Sequence, residues 1–318
     1  MSAADRLFIE NIENILNNGI SDENMKVRPV WEDDNSPAHT KAIFGMVDRY
    51  DLSKEFPIMT LRRTFWKSAL DEILWIWQKK SNNVNDLKSH VWDAWADEKG
   101  SIGKAYGYQM GVRSAYRDVT EEGLNKAFKG GETVSDGRIK RFVDKKNRTA
   151  AIFNEEKGCW MLDQTDRIIY QLCNDPGSRR IMSMMYIPED LSDMALAPCA
   201  YSMIFNVMDG RLNSMLTQRS QDMAVANNWN TVQAALIALL LGSAYGFKPG
   251  EFVHEVTNAH VYDRHVEPVK ELIKNETFDA PEIWINPEIK DFYDFTADDV
   301  KLKDYCYSEF NYKFPVAV

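Results

Sequence analysis

A cysteine and an arginine joined by a hairpin are the residues of this chain best suited to chemistry. Cys199 follows a proline and precedes an alternating segment, Ile204 to Val207, so the pattern predicts a thiol at the mouth of a β-strand. The turn Asp209-Gly210 and a second strand, Leu212 to Leu216, then return the chain to Arg219. Because a nearby cation favours the thiolate, we expect a nucleophile that attacks carbon.

A second candidate is Glu72, which lies in a stretch predicted to be helical from Phe65 to Gln78. Its helical neighbours are apolar, and a buried carboxylate must be hydrogen-bonded or protonated. A raised pKa suits a general acid or base at neutral pH. A salt bridge to Arg62 or Arg63 is the alternative that the sequence leaves open.

Arginines and tryptophans offer binding groups. Arg179 and Arg180 precede an alternating strand, Ile181 to Tyr186, where paired guanidinium groups suit phosphate oxygens, although solvent-exposed charges fit as well. Trp92 and Trp95 are three residues apart and share a helix face, so they could wall a planar ligand or fill a core.

Composition excludes several classes of protein. The net charge of −10 gives no support to a nucleic-acid partner, and a small anionic substrate needs local arginines. The four cysteines are far apart, which argues against a zinc site and a disulfide framework and fits a cytoplasmic location. The longest apolar run, Ala234 to Tyr245, is too short to span a bilayer, and the acidic, polar N-terminus is not a signal peptide.

Helical and strand patterns alternate irregularly with hairpins, which predicts an α+β class in a single domain, 1–318. A polar stretch at about 116–157 has weak apolar periodicity and is predicted to be a surface insertion, a helix plus a hairpin. The other predicted elements are a strand at Ala42–Val47, helices at Asp163–Leu172 and Thr231–Gly246, and short strands at Glu251–Val256 and Ala259–Tyr262.

Motifs in a fixed order resemble the thymidylate synthase family, which methylates deoxyuridylate (dUMP) at C5. They include Glu72-Ile73-Leu74-Trp75, Trp92-Asp93-Ala94-Trp95, Tyr106-Gly107-Tyr108-Gln109, Ala197-Pro198-Cys199, Gln218-Arg219-Ser220, His260-Val261-Tyr262 and the terminal Pro315-Val316-Ala317-Val318. The resemblance implies a mixed β-sheet packed with helices and a two-fold homodimer through the sheet.

The resemblance also implies the reaction and the phosphate site. Cys199 would add to C6 of the uracil, and C5 would then attack the methylene carbon of 5,10-methylenetetrahydrofolate. Arg219 and Ser220 would hold the phosphate. Arg28, which as a loop residue is otherwise typical of surface charge, would complete that site with Arg179 and Arg180 of the partner subunit. No metal is implied.

By the same resemblance, the remaining site residues bind the base, the sugar and the folate. Asn230 would read the uracil edge, and His260 and Tyr262 would bind the ribose 3′-hydroxyl. Asp222 would lie against the uracil and folate rings. Glu72 and Tyr106 would organise the water that moves protons at C5 and O4. Trp92 and Trp95 would pack on the pteridine, and Val318 would close the site.

Some positions depart from the family pattern. Ala200 stands where histidine is usual, and Asn258 stands where aspartate is common. The usual Leu-Gly-x-Pro-Phe-Asn is replaced by Val225-Ala226-Asn227-Asn228-Trp229-Asn230, which lacks the glycine and the proline. The alternative function is therefore a dUMP hydroxymethylase, with Asn227 and Asn228 admitting water to the same intermediate, whereas Trp92 favours methylation. A regulator that binds nucleotide or RNA on this scaffold is a third hypothesis, opposed by the intact Cys199.

Overall fold

A computed structural model describes residues 1–137 and 139–317 of the chain. Its strands are β1 (Ile20–Ser21), β2 (Thr40–Asp51), β3 (Ser114–Tyr116), β4 (Glu132–Ser135), β5 (Lys140–Val143), β6 (Thr149–Asn154), β7 (Cys159–Leu162), β8 (Ile181–Met184), β9 (Ala200–Met208), β10 (Arg211–Gln218), β11 (Gln221–Asp222), β12 (Lys248–Tyr262), β13 (Glu282–Ile285) and β14 (Val300–Lys303). Its α-helices are α1 (Ala3–Asn18), α2 (Trp66–Leu74), α3 (Gly107–Gly111), α4 (Glu121–Ala127), α5 (Gln164–Asn174), α6 (Asn227–Tyr245) and α7 (Val266–Leu272).

The central sheet is mixed and runs in the order β1-β2-β12-β10-β9-β8, with β11 paired to β12. β9 and β10 form the predicted antiparallel hairpin, and both turn residues, Asp209 and Gly210, have positive φ as a two-residue hairpin turn requires. β10 is parallel to β12, which pairs along most of its length with β2. The start of β9 and the ends of β10 and β12 therefore lie at the same end of the sheet.

Helix α6 packs against α2 and against β10 and β12. Its Ala- and Leu-rich sequence is buried nearly all round, and it ends before Gly246 in the left-handed region. α2 continues without a break into a π-helical turn, Trp75–Lys79. These two helices place polar side chains against the inner face of the sheet.

The stretch at 116–157 is more extensive than the predicted helix and hairpin. It contributes α4 and strands to a second, five-stranded antiparallel sheet in the order β3-β7-β6-β5-β4. Phe142, Ala150 and Ala151 are fully buried there. Arg148 links this sheet to α5 by hydrogen bonds to the buried Asp166.

Two-stranded pairing of β13 with β14 completes the sheets of the described residues. The α+β class is confirmed by this arrangement of mixed and antiparallel sheets packed with helices. The prediction of two short strands near the end of the chain was wrong, because β12 runs unbroken from Lys248 to Tyr262. The division into a single domain stays a prediction.

Candidate active site

Cys199 lies immediately before β9, as predicted, and is half-buried. Its backbone N–H donates to the hydroxyl oxygen of Tyr106 at 3.3 Å, and its carbonyl accepts from the backbone N–H of Arg219 at 3.0 Å. Two neighbouring segments thus fix the backbone that carries the thiol.

Arg219 follows β10 and faces the loop before the cysteine. Its Nε donates to the carbonyl oxygen of Pro198 at 3.0 Å and its Nη2 to that of Ala197 at 2.7 Å. Burial raises the pKa of the Cys199 thiol, and the charges of Arg219 and Arg28 lower it by a smaller amount. The positive charges favour the thiolate, as expected, but desolvation has the larger effect. The pKa of the thiol is therefore raised overall.

Glu72 is buried in α2 among aromatic and apolar side chains. Its Oε1 accepts from the indole N–H of Trp92 at 3.0 Å and its Oε2 from that of Trp229 at 2.7 Å. Burial raises the pKa of this carboxyl, and the hydrogen bonds only partly oppose that effect. The structure therefore favours the buried, hydrogen-bonded carboxylate over the salt bridge.

The two arginines of the alternative salt bridge face elsewhere. The guanidinium of Arg62 donates to the carbonyl oxygen of Ala224 and lies over the ring of Phe314. That of Arg63 lies over Phe65.

Tyr106 is buried, and its φ of 42° places it in a region that non-glycine residues rarely adopt. Burial raises the pKa of its phenol well above the ordinary value, so the group stays neutral and can donate a proton. A cavity of about 70 Å³ joins Tyr106 to Glu72 and Asn230. That volume has room for ordered water.

Asn230 lies in the first turn of α6. Its Oδ1 accepts from the amides of Gln218 at 3.3 Å and Gln221 at 3.4 Å, and its Nδ2 donates to Gln233 at 3.2 Å. These contacts fix which side of the amide donates. Ser220 lies between the two glutamine donors in sequence and is half-buried beside Arg219.

His260 and Tyr262 lie at the end of β12, with ring centroids 5.1 Å apart. Burial lowers the pKa of His260, so its ring is neutral, and Nδ1 lies 2.8 Å from Oδ1 of Asn258. Since an amide oxygen accepts, Nδ1 carries the proton and Nε2 is left as an acceptor. Burial raises the pKa of Tyr262 to about 12, which keeps its hydroxyl as a donor.

Asp222 ends β11, which pairs with β12 beside His260. Its Oδ1 accepts from the backbone N–H groups of Ala224 at 2.9 Å and Val225 at 3.2 Å. The same oxygen is 3.7 Å from Nδ1 of His265. These contacts hold the carboxylate near the end of β12, where Tyr262 is the last residue.

Trp92 immediately precedes, and Trp95 ends, a 3-10 turn, Asp93–Trp95, in place of the longer helix that their spacing suggested. Their ring centroids are nevertheless 5.6 Å apart, and Trp92 is 5.0 Å from the ring of Tyr106. Together they form an aromatic wall next to Glu72.

The single chain does not bring every predicted residue together. Arg28 is exposed but close enough to lower the pKa of Cys199 against the larger effect of burial. Arg179 and Arg180 are exposed and precede Ile181, which pairs with Phe205. Because a strand rises about 3.3 Å per residue, those arginines lie about 20 Å along the sheet from their own Cys199. Val318 lies outside the described residues.

Sequence reasoning assigned no role to Trp229 and treated Asn228 only as a residue that could admit water. Trp229 reaches Glu72, and Oδ1 of Asn228 accepts from the N–H of Met59 at 3.0 Å and the hydroxyl of Thr64 at 2.8 Å. The expectation that Asn228 admits water gains no support, because its carbonyl is engaged by that segment. Their position next to Asn230 was the signal that could have identified them.

No group of three or more His, Cys, Asp or Glu side chains in residues 1–137 and 139–317 is arranged to hold a metal ion. Within the same ranges, no helix is long and apolar enough to cross a membrane. The four cysteines are free thiols.

The fold and site define an α+β enzyme with a half-buried thiol at Cys199, an arginine held against the loop before it and a buried carboxylate at Glu72. The family model described as thymidylate synthase matches residues 6–318. The chain belongs to the thymidylate synthase family.

Individual relatives agree over the full length. Thymidylate synthase 1 of Bacillus subtilis strain 168 is 40% identical over 321 residues, with 100% of both chains covered. Thymidylate synthase of Bacillus phage phi3T is 39% identical at the same coverage. The structure of thermostable thymidylate synthase A from Bacillus subtilis matches with a TM-score of 0.80 and 38% identity, covering 99% of each chain.

Proposed function

We propose that this methyltransferase moves the one-carbon unit of 5,10-methylenetetrahydrofolate to C5 of dUMP and reduces it, giving dTMP and dihydrofolate. The observation that carries the proposal is that Tyr106 and the buried Glu72 line one small cavity while the Tyr106 hydroxyl accepts a hydrogen bond from the Cys199 backbone. Membership of the family supports the same reaction.

The thiol makes an unreactive carbon nucleophilic. Addition of the Cys199 sulfur to C6 breaks the C5–C6 π bond and makes C5 an enolate carbon. C5 then bonds to the methylene carbon of the folate as one of the two C–N bonds of that carbon gives way. Loss of the C5 proton and elimination of tetrahydrofolate leave an exocyclic methylene group. Hydride from C6 of tetrahydrofolate reduces that group, the sulfur leaves, and the folate becomes dihydrofolate.

Proton movements fall to Glu72 and Tyr106. Because burial raises the pKa of the Glu72 carboxyl, more of it is protonated at neutral pH than of an exposed glutamate. It can therefore take up and release protons through water in the cavity. Tyr106 stays protonated and can donate to O4 or to that water. Because burial raises the pKa of the Cys199 thiol, its thiolate form needs a nearby positive charge to stabilise it. Arg219 is suited to that role.

The remaining polar groups recognise the nucleotide. The Asn230 amide offers one donor and one acceptor, which match O4 and N3–H of uracil. His260 and Tyr262 offer an acceptor and a donor to the ribose hydroxyl. Arg219, Ser220 and Arg28 would bind the phosphate.

The folate would lie against the aromatic wall. Trp92 and Trp95 offer flat faces to the pteridine, and Asp222 offers a carboxylate beside it. Trp92 shields Glu72 from bulk water, which favours reduction of the methylene group over its hydration. Val318 would close the folate site.

A two-fold homodimer would complete the phosphate site with Arg179 and Arg180. Two apolar side chains of the central sheet are exposed, Val47 of β2 at 54% and Met208 of β9 at 65%. Exposed apolar surface of this kind is typical of an interface with a second copy of the chain. Free thiols support a cytoplasmic location.

The test incubates the protein with dUMP and 5,10-methylenetetrahydrofolate and measures the mass of the nucleotide product and the absorbance of dihydrofolate. A methyl increment with dihydrofolate supports the proposal. A hydroxymethyl increment without dihydrofolate replaces it with the hydroxymethylase, and unchanged dUMP rejects both.

A further inference from the structure

The carboxylate of Glu72 is held by two indole N–H groups from different parts of the chain. Trp92 donates to one oxygen at 3.0 Å, and Trp229, the third residue of α6, donates to the other at 2.7 Å. We propose that Trp229 is a positioning residue that fixes the orientation of Glu72 and stabilises its ionised form. This inference rests on the proposed function for its effect on turnover.

A donor on each oxygen restrains the plane of the carboxylate. Without Trp229, the carboxylate keeps Trp92 and the smaller contribution of Gln233, and it is freer to rotate about its last side-chain bond. With Trp229 on the second oxygen, rotation breaks one contact or the other. Each oxygen keeps a further lone pair for a water or a proton in the adjoining cavity.

Trp229 is itself firmly placed. Asn228 on one side accepts hydrogen bonds from Met59 and Thr64, and Asn230 on the other is held by two glutamine amides. The first turn of α6 therefore positions both the Asn230 amide, which would bind the uracil, and the Trp229 indole, which holds Glu72. A small change in this turn would move both groups together.

Electrostatics give the contact a measurable consequence. A hydrogen bond to an ionised carboxylate is stronger than one to a neutral acid, so the indole favours the charged form and opposes burial. Among the residues that line the cavity, Glu72 and Tyr106 are the groups that titrate, with the uncharged Asn230 and Gln233 facing them from α6. Beyond Tyr106 lie Cys199 and Arg219.

The experiment compares wild type, W229F and the matched control W160F. Trp160 is a buried tryptophan of β7 in the second sheet, so its variant loses an indole without touching Glu72. kcat and kcat/KM are measured against pH, and the E72Q variant identifies the midpoint that belongs to Glu72. We expect that midpoint to rise by about one pH unit in W229F and to stay in place in W160F.

A second readout needs no turnover. The infrared carbonyl band of the protonated Glu72, identified by its absence in E72Q, is followed against pH in the same proteins. We expect it to persist to higher pH in W229F than in wild type. Should W229F fail to fold, W229M also lacks the donor and replaces it.

Equal infrared midpoints in wild type and the Trp229 variant would overturn the inference and leave Trp229 as a space-filling side chain. A shifted infrared midpoint in a protein that makes no product would uphold the contact and reject the proposed function. The two failures are thereby distinguishable.

Discussion

The backbone N–H of Arg219 donates a 3.0 Å hydrogen bond to the carbonyl oxygen of Cys199. Its guanidinium donates in addition to the carbonyl oxygens of Pro198 and Ala197, the two residues before the cysteine. The cation is therefore held by hydrogen bonds to the loop that carries the thiol.

Removing this cation should make the thiol harder to ionise. In R219Q, burial of Cys199 is no longer opposed by Arg219, so the pKa of the thiol rises further. The measurement is the pH dependence of iodoacetamide alkylation, quantified on the peptide that contains Cys199 because Cys306 is also exposed. R211Q, at the start of the same strand, is the control, and a midpoint in R219Q equal to that of R211Q would contradict the prediction.

Glu72 should make stability depend on pH. Because burial raises its pKa in the folded state, the folded protein binds this proton more tightly than the unfolded chain does. The stabilising contribution is complete at pH values below the ordinary pKa and is lost as the pH rises through the raised one.

The E72Q variant removes that titration, so its Tm relative to that of wild type should increase as the pH rises above the ordinary carboxyl range. Thermal denaturation at several pH values measures the difference. D71N, the neighbouring residue on α2, serves as the control. A Tm difference that stays constant as the pH rises would show that Glu72 does not titrate as described.

Asp166 should be a major contributor to stability. It is fully buried and accepts hydrogen bonds from Arg148 at 2.9 and 2.7 Å and from Tyr293 at 2.8 Å. D166A removes one of the two carboxylates, Asp144 and Asp166, that pair with the partly buried Arg148, which costs about 3–5 kcal/mol of unfolding free energy. Urea denaturation measures this loss.

The exposed Glu288 provides the control for Asp166, since E288A should change the unfolding free energy by less than about 0.5 kcal/mol. A D166A value as small as that of E288A would mean that the second sheet is held to α5 by apolar packing alone.

Arg179 and Arg180 should act on the neighbouring subunit. R179A/R180A removes charged contacts to phosphate and should lower kcat/KM at least about tenfold. Mixing it with C199S under conditions of subunit exchange should restore about a quarter of wild-type activity, because half of the dimers then hold one intact site. The measurement is product formation before and after exchange.

Mixing C199S with R219Q is the matched control for this exchange. Both of those residues belong to the same site of one chain, so no intact site forms and activity should stay low. Recovery in the control, or its absence in the R179A/R180A mixture, would place the two arginines in the site of their own chain.

The nucleophile hairpin could be predicted from sequence because its signals are local. Alternation on both strands and the Asp209-Gly210 turn fix the register, and the observed β9 and β10 extend the predicted strands by a few residues. The thiol therefore lies where the pattern put it. The sign of its pKa shift could not be read from sequence, because it depends on how deeply the folded chain buries the sulfur.

The start of α6 was missed for a different reason. Asn227-Asn228-Trp229-Asn230 has no apolar periodicity, and asparagine is a poor helix former. The turn is helical because Asn228 and Asn230 find hydrogen-bond partners in distant segments, at Met59, Thr64, Gln218 and Gln221. Long-range contacts of this kind have no signature in a single sequence.

The second sheet was underestimated because its strands are short. Strands of three to six residues show too little alternation to be recognised one at a time, and pairing among them buries Phe142 and Ala151. β12 was read as two strands because the polar Thr257-Asn258 interrupts its apolar pattern, although the pairing with β2 keeps one register across them.

The most direct test of the central claim is the mass of the protein after incubation with fluorodeoxyuridylate and 5,10-methylenetetrahydrofolate. The fluorine at C5 cannot leave as a proton does, so the reaction should stop with both molecules bonded to the protein. We predict an adduct on the peptide that contains Cys199 in wild type and none in C199S. An unmodified Cys199 peptide in wild type, or an adduct of equal yield in C199S, would contradict the account.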